Sequence, residues 1–231
     1  MNYDPVVLTY KSTVMQRLAD YVRLGYKFWT AGEVPLARAN ALARKFTRYY
    51  RVDLDRNRRA RAKSAGEGCA VLLLWASQPD RISWHLLVTA GAHPAHKLER
   101  LQDAATDAGR ITLTGYELVR LTRKGAAKPS WTWRMSEETY GAWRSRVIEL
   151  VRHRKVNEAG ATLASLYGTP GFAGARRQVG KILTLFKAEW RRAALPQDKF
   201  PSPLKLRYLQ RLHNRGKRLS HLLAEYHSPQ Q

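Results

Sequence analysis

The chain has 231 residues, with 41 Lys and Arg against 18 Asp and Glu, a formal net charge of +23. That much like charge on one body is expected to be offset by a polyanion, nucleic acid foremost, and a hydrophobic share of 44% excludes a disordered basic tail. No run nears the roughly 20 apolar residues of a membrane span, and neither a signal peptide at Met1-Asn2-Tyr3-Asp4-Pro5 nor a disulfide for the sole cysteine, Cys69, is expected.

A cytoplasmic protein with no membrane partner is therefore the expectation. Along the chain, Val14, Met15, Leu18, Tyr21 and Val22 recur with helical spacing over Ser12 to Leu24. After Gly25 the aromatic run Tyr26-Lys27-Phe28-Trp29-Thr30 reads as a strand, and Ala31-Gly32-Glu33 as a turn. Pro35 suits a helix start, and Leu36, Ala39, Leu42, Ala43, Phe46 and Tyr50 predict a helix to about Arg51. Residues 52–68 form an arginine-loaded connector ending in Gly66-Glu67-Gly68, with no apolar period; helix there is expected only on binding.

Cys69 to Ala76 and Ile82 to Thr89 predict a β-hairpin whose second strand puts Ile82, Trp84, Leu86 and Val88 on one face and Ser83, His85, Leu87 and Thr89 on the other. Pro94 to Ala105 is expected to be helical through Leu98, Leu101 and Ala105, and Ile111 to Thr122 to be extended. A strand over Ser130 to Met135 follows across the Lys124-Gly125 turn, and Ser136-Glu137-Glu138-Thr139 caps a helix to about Lys155. Helices over Asn157 to Tyr167, Gly174 to Ala194 and Pro203 to Tyr226 complete a basic helical region. The expected division is a core over residues 1–135 and a helical region over 136–231.

The chemistry-bearing motifs are few. One cysteine precludes thiolate clusters, and the pair His93-Pro94-Ala95-His96 has no carboxylate to complete a shell, so structural roles, no metal and no cofactor are expected. Phosphate loops and nucleophile elbows are missing. Gly168-Thr169-Pro170-Gly171-Phe172-Ala173-Gly174 reads as an interhelical linker, with a phosphate at the following helix start as the sharper alternative. Of the seven tryptophans, Trp75 and Trp84 are expected in the core, and Trp29, Trp131 and Trp133 are the ones expected to be exposed for stacking on bases.

The expected elements run strand, helix, strand, strand, helix, strand. That βαββαβ order resembles the ferredoxin-like α+β fold of RNA-recognition modules and of the RAMP superfamily, which includes CRISPR RNA-processing endoribonucleases. The arginine-rich chain with a helical extension looks most like the type IV kind. Gly66-Glu67-Gly68 and His93-Pro94-Ala95-His96-Lys97-Leu98-Glu99 also resemble small basic proteins of plasmids and integrative conjugative elements.

The first resemblance implies metal-independent cleavage of a structured RNA, such as a CRISPR repeat hairpin, by attack of a ribose 2′-hydroxyl on the adjacent phosphate, within a ribonucleoprotein that includes other subunits. Arg23 and Arg38 are expected at one corner of the fold as electrostatic clamps, with His85 as the proton-transfer residue. Arg44, Lys45, Arg48, Arg56, Arg58, Arg59, Arg61, Arg176, Arg177 and Lys181 are expected to grip the nucleic acid. The second resemblance implies a non-catalytic DNA-binding accessory or regulator of a mobile element.

Overall fold

The computed structural model describes residues 3–122, 125–201, 206, 208–213 and 215–227. In chain order the elements are β1 (Val6–Leu8), α1 (Lys11–Arg23), β2 (Phe28–Pro35), α2 (Leu36–Tyr50), α3 (Arg56–Ser64), β3 (Ala70–Gln78), β4 (Arg81–Val88), α4 (Ala95–Leu98), β5 (Gln102–Asp103) and β6 (Thr112–Leu113). They continue with β7 (Tyr116–Leu121), β8 (Ser130–Met135), α5 (Glu137–Arg152), α6 (Val156–Tyr167), α7 (Ala173–Arg192), β9 (Gly216–Arg218) and α8 (Leu219–His227). This is an α+β protein of two compact units, Met1–Ile111 with Arg211–Gln231, and Thr112–Gln210.

The first unit holds a six-stranded sheet in the order β5-β2-β4-β3-β1-β9. Strands β5, β2, β4 and β3 are antiparallel neighbour to neighbour, while β1 joins β3 in parallel. The alternation along β4 sorts the two faces. Ile82, Leu86 and Val88 join Ala70, Leu72 and Leu74 of β3 under Leu36, Ala39, Ala43 and Phe46 of α2. Helix α1 packs on β1 and β3, and its buried stripe of Val14, Met15, Leu18 and Val22 lies outside that cluster. It therefore covers the opposite face, the side of Val71, Leu73, His85 and Leu87. Helices α1 and α2 thus take opposite faces, while Ala31 and Glu33 of β2 and the residues of β9 stay exposed.

Several elements depart from the sequence expectation. Gly25, at φ +95°, keeps the chain turning until Lys27, so β2 starts at Phe28. It then continues through the expected turn at Ala31-Gly32-Glu33, because β4 pairs with it over its whole length. Gly32 permits this. A Cβ there would lie 2.8 Å from the Trp84 ring. The expected helix from Pro94 to Ala105 stops at Leu98, since Gln102 and Asp103 extend to pair with β2 and Ala104 donates its N–H to Lys27 O at 2.9 Å.

The second unit contains the sheet β6-β7-β8. The extended segment expected over residues 111–122 is broken by Thr114 and Gly115, both at positive φ, which form the tight turn of the β6–β7 hairpin. Strands β7 and β8 pair with each other, and α7 and α5 pack on β8. The boundary expected after residue 135 thus falls inside this unit, because these strands build a separate sheet.

Helix α7 reaches β8 closely at Gly174, where a Cβ would stand 2.6 Å from Trp133 O. Beyond it, the Gln178 side chain bonds both backbone groups of Met135, accepting from N at 2.6 Å and donating to O at 3.0 Å. The expected Pro203 to Tyr226 helix is replaced, among the described residues, by a stretch without regular secondary structure, then β9 and α8. Lys124 and residues 203–205, 207 and 214 of those expectations lie outside the described residues.

Candidate nucleic-acid interface

Helix α3 has no buried residue, so no apolar face explains it. Its ends do. The Asp55 side chain accepts from Arg58 N at 2.8 Å, and this amide bond holds the Asp55 carboxyl below its usual range. At the other end Gly66, at φ +76°, turns the chain so that Gly66 N bonds Lys63 O and Glu67 N bonds Ala62 O, a Schellman closure. Between them lie Ala, Arg and Lys, good helix formers whose last-turn cations favour the helix dipole. The arginine connector is therefore a helix in the free protein.

The arginines of α3 divide by what they touch. Arg59 is half-buried and donates to Leu54 O at 2.6 Å, while Lys63 donates to Leu24 O at 3.2 Å and sits 4.3 Å over the Tyr26 ring. Arg59 thus ties α3 to the segment before it, and Lys63 ties it to the connection between α1 and β2. Arg56, Arg58 and Arg61 are exposed, as are Arg44, Lys45 and Arg48 along α2. Arg51, left-handed at φ 51°, turns the chain from α2 toward α3.

The result is a basic surface at one end of the sheet, where β2 and β3 begin and α1 and α2 end. Its carboxylates are exposed and sparse: Asp55 lies 3.5 Å from Arg58, and Glu67 3.9 Å from Arg51. Such exposed guanidinium groups exchange water and weak pairs for phosphate at little cost.

Arg23, at the end of α1, joins this end of the sheet and is largely exposed, 4.0 Å from Asp20. Arg38 does not. Leu36 N donates to Asp80 O at 2.7 Å, which fixes the start of α2 at the β3–β4 turn, the opposite end of the sheet. Arg23 and Arg38 are thus separated by the length of the sheet and lie on helices over opposite faces. The corner they were expected to share is not formed.

His85 is 4% exposed, its Nδ1 has no hydrogen-bond partner, and its ring stacks on Trp29. Burial pushes its pKa down to about 4. It faces α1 from the middle of the sheet and reaches neither arginine's end.

In the second unit Arg176 holds the chain's own return, donating to Leu206 O at 2.8 Å with its guanidinium 3.4 Å over the Tyr208 ring. Arg177 and Lys181 are exposed on α7, in a basic stripe with Arg191. The glycine-rich stretch before α7 is a linker. Gly174 N, at the helix start, is taken by Thr132 Oγ1 at 3.2 Å.

Tryptophan exposure differs from expectation. Trp29 and Trp133 are buried, Trp29 donating to Gly109 O at 2.7 Å, and Trp131 is half-buried. Trp75 and Trp84 are likewise half-buried. Tyr49, with Arg48 beside it at 5.7 Å, is the exposed ring of the basic end.

The histidine pair has structural work. His93 Nδ1 accepts from Ala95 N, which leaves Nε2–H to donate to Tyr50 O at the end of α2, and His96 Nε2 meets Thr89 O at 2.9 Å. Among the described residues no three His, Cys, Asp or Glu side chains gather as metal ligands.

What sequence reasoning missed here is the division of labour within α3. A half-buried Arg59 looks no different in sequence from an exposed Arg58, although the apolar Leu54 within the connector marks a point where it has to meet the fold. Comparison with protein-family models, with curated proteins and with solved structures finds no match to this chain.

Proposed function

We propose that this protein binds the double-helical part of a structured nucleic acid, a folded RNA foremost, through the basic end formed by α2 and α3. The observation that carries this reading is the set of exposed cations at Arg44, Lys45, Arg48, Arg56, Arg58 and Arg61, displayed on two helices at one end of the first unit's sheet. Rigid helices carrying guanidinium groups suit the fixed phosphate spacing of a duplex. Single strands call for a row of exposed aromatic platforms, whereas the basic end offers the one ring of Tyr49 and no described tryptophan is exposed.

The finer fold reading belongs with this proposal. The strand order β5-β2-β4-β3, antiparallel throughout, with α2 and α3 crossing from β2 to β3, supports a ferredoxin-like plan for the first unit. Its second crossover helix is cut to α4 and its last strand to the residues of β5. Binding without cleavage is the reading the geometry favours, because Arg23, Arg38 and His85 do not converge on one phosphate.

The test is binding of a labelled RNA hairpin, its single-stranded counterpart and a DNA duplex across a salt series, in EDTA. Tighter binding of the hairpin with a steep salt dependence is expected, and the RNA stays intact. Equal affinity for the single strand overturns the duplex reading. A single cut blocked by a 2′-deoxy substitution at the scissile nucleotide overturns the non-catalytic one, and preference for the DNA duplex reassigns the ligand.

A further inference from the structure

A cavity of about 490 Å³ opens in the first unit between α2, α8 and the segment that leads into β1, a volume typical of small-ligand sites. Asn40, Arg44 and Arg48 follow one another at i, i+4 spacing, so a single edge of α2 presents an amide and two guanidinium groups to it. Neither arginine has a carboxylate partner among the described residues. Tyr3 with Leu219 and Leu223 forms an apolar wall, all three belonging to the packing on that side of the sheet.

Thr47 lines the cavity through its other side-chain atoms, its hydroxyl being closed off from solvent. A further feature points to an anionic ligand. Asp4, the acid of the described lining, is already occupied: its oxygens accept from Ser220 N at 3.0 Å and Ser220 Oγ at 2.7 Å. Burial pushes the Asp4 carboxyl up, but these bonds and the charges of Arg218 and His221 hold it below its usual range. The start of α8 is thereby capped from within, and the cation side of the cavity is left to Arg44 and Arg48.

We propose that this cavity binds a nucleoside monophosphate unit. Arg44 and Arg48 take the phosphate, Tyr3, Leu219 and Leu223 take the flat base, and Asn40 bonds its polar edge or the ribose. The unit has two sources, a free mononucleotide or a nucleotide turned out of a bound duplex. The second source rests on the nucleic-acid reading above, and the first does not.

The experiment uses the full chain and calorimetric titration with AMP, UMP, adenosine and inorganic phosphate. It is paired with binding of an RNA duplex with and without one bulged nucleotide. Saturable binding of a monophosphate, weaker by about tenfold for inorganic phosphate and for adenosine, establishes the free ligand. A bulged duplex bound about tenfold tighter than the perfect one, without monophosphate binding, establishes the extruded source.

In either case Leu223→Trp, which fills the cavity and leaves the cations in place, abolishes that preference while perfect-duplex affinity stays within about twofold. Asn40→Trp serves if Leu223→Trp lowers the melting temperature. Inorganic phosphate binding as tightly as AMP, filling variants without effect, or no monophosphate binding together with equal affinity for bulged and perfect duplexes each overturn the proposal. If no duplex binds at all, the interface reading fails and the monophosphate titration alone decides the cavity.

Discussion

The His85 imidazole lies over the Trp29 indole, ring centres 6.2 Å apart and planes 25° from parallel, in the interior of the sheet face that α1 covers. Burial holds the ring neutral and pushes its pKa down from 6.5 to about 4. The unfolded chain then binds the proton that the folded chain refuses, so stability falls as pH drops from about 6.5 toward 4. The loss amounts to about 3 kcal/mol at the low end. Thermal unfolding from pH 4.5 to 7.5 checks this: His85→Phe is expected to flatten much of the dependence, and an unchanged slope rejects it.

Arg58 and Arg38 are both exposed on helices, yet they stand at opposite ends of the sheet. Arg58→Ala is expected to weaken hairpin binding and to lower the slope of log affinity against log salt by about one. Arg38→Ala is expected to leave both nearly unchanged. Anisotropy titrations at several salt concentrations read the difference, and equal losses from the two variants dissolve the proposed interface.

Arg59→Ala acts differently from its neighbours because its guanidinium holds Leu54 O. Losing that bond to a charged donor costs about 1.5–3 kcal/mol, reduced by the group's partial exposure. The expected readout is a lower melting temperature and faster amide exchange in α3. Reduced binding with unchanged stability marks Arg59 instead as a direct phosphate contact.

Gly174→Ala places a methyl group 2.6 Å from Trp133 O, where backbone meets backbone and neither side yields cheaply. A destabilisation of about 1–3 kcal/mol is expected, read by chemical denaturation. Gly180→Ala on the same helix is the control, since a Cβ there meets nothing within 4 Å. Its exposed position on α7 is expected to gain a little from lost chain entropy.

Much of this fold is legible in local pattern. The Ile82, Trp84, Leu86, Val88 alternation sorts the faces of β4, and the Leu36, Ala39, Ala43, Phe46, Tyr50 spacing marks α2. The misreadings have physical causes. Leu98, Leu101 and Ala105 keep helical spacing although β2 offers Gln102 and Asp103 a ladder to join. Thr114-Gly115 breaks an apolar run whose average character is that of a strand. Strands β1 and β9, Val6–Leu8 and Gly216–Arg218, are too short to carry a period and exist through pairing with β3 and with each other. At the site, the exposed arginines follow from composition, but which end of the sheet receives Arg23 or Arg38 depends on strand direction alone.

Asp20 accepts Arg17 at 2.9 Å and Arg211 at 2.6 Å, and Gln16 Oε1 accepts Leu212 N at 2.9 Å, so α1 anchors the returning segment of the first unit. Asp20→Asn removes the charge that Arg17, Arg211 and the more distant Arg23 share. Limited proteolysis is expected to cut faster near Arg211, whereas resistance equal to the parent's indicates that the strand pairing of β9 alone holds the return.

That return sets an order on biosynthesis. Residues 112–210 are translated before β9 and α8, so a nascent chain has to carry the first unit with one sheet edge unpaired and the α8 wall missing while the whole second unit emerges. Val6 to Leu8 is exposed as an open edge throughout that interval, a template for stray strand pairing. Production of this protein is therefore expected to be most sensitive to translation pauses and chaperone supply between residues 112 and 210, and a chain stopped there yields aggregates in place of a soluble half-protein.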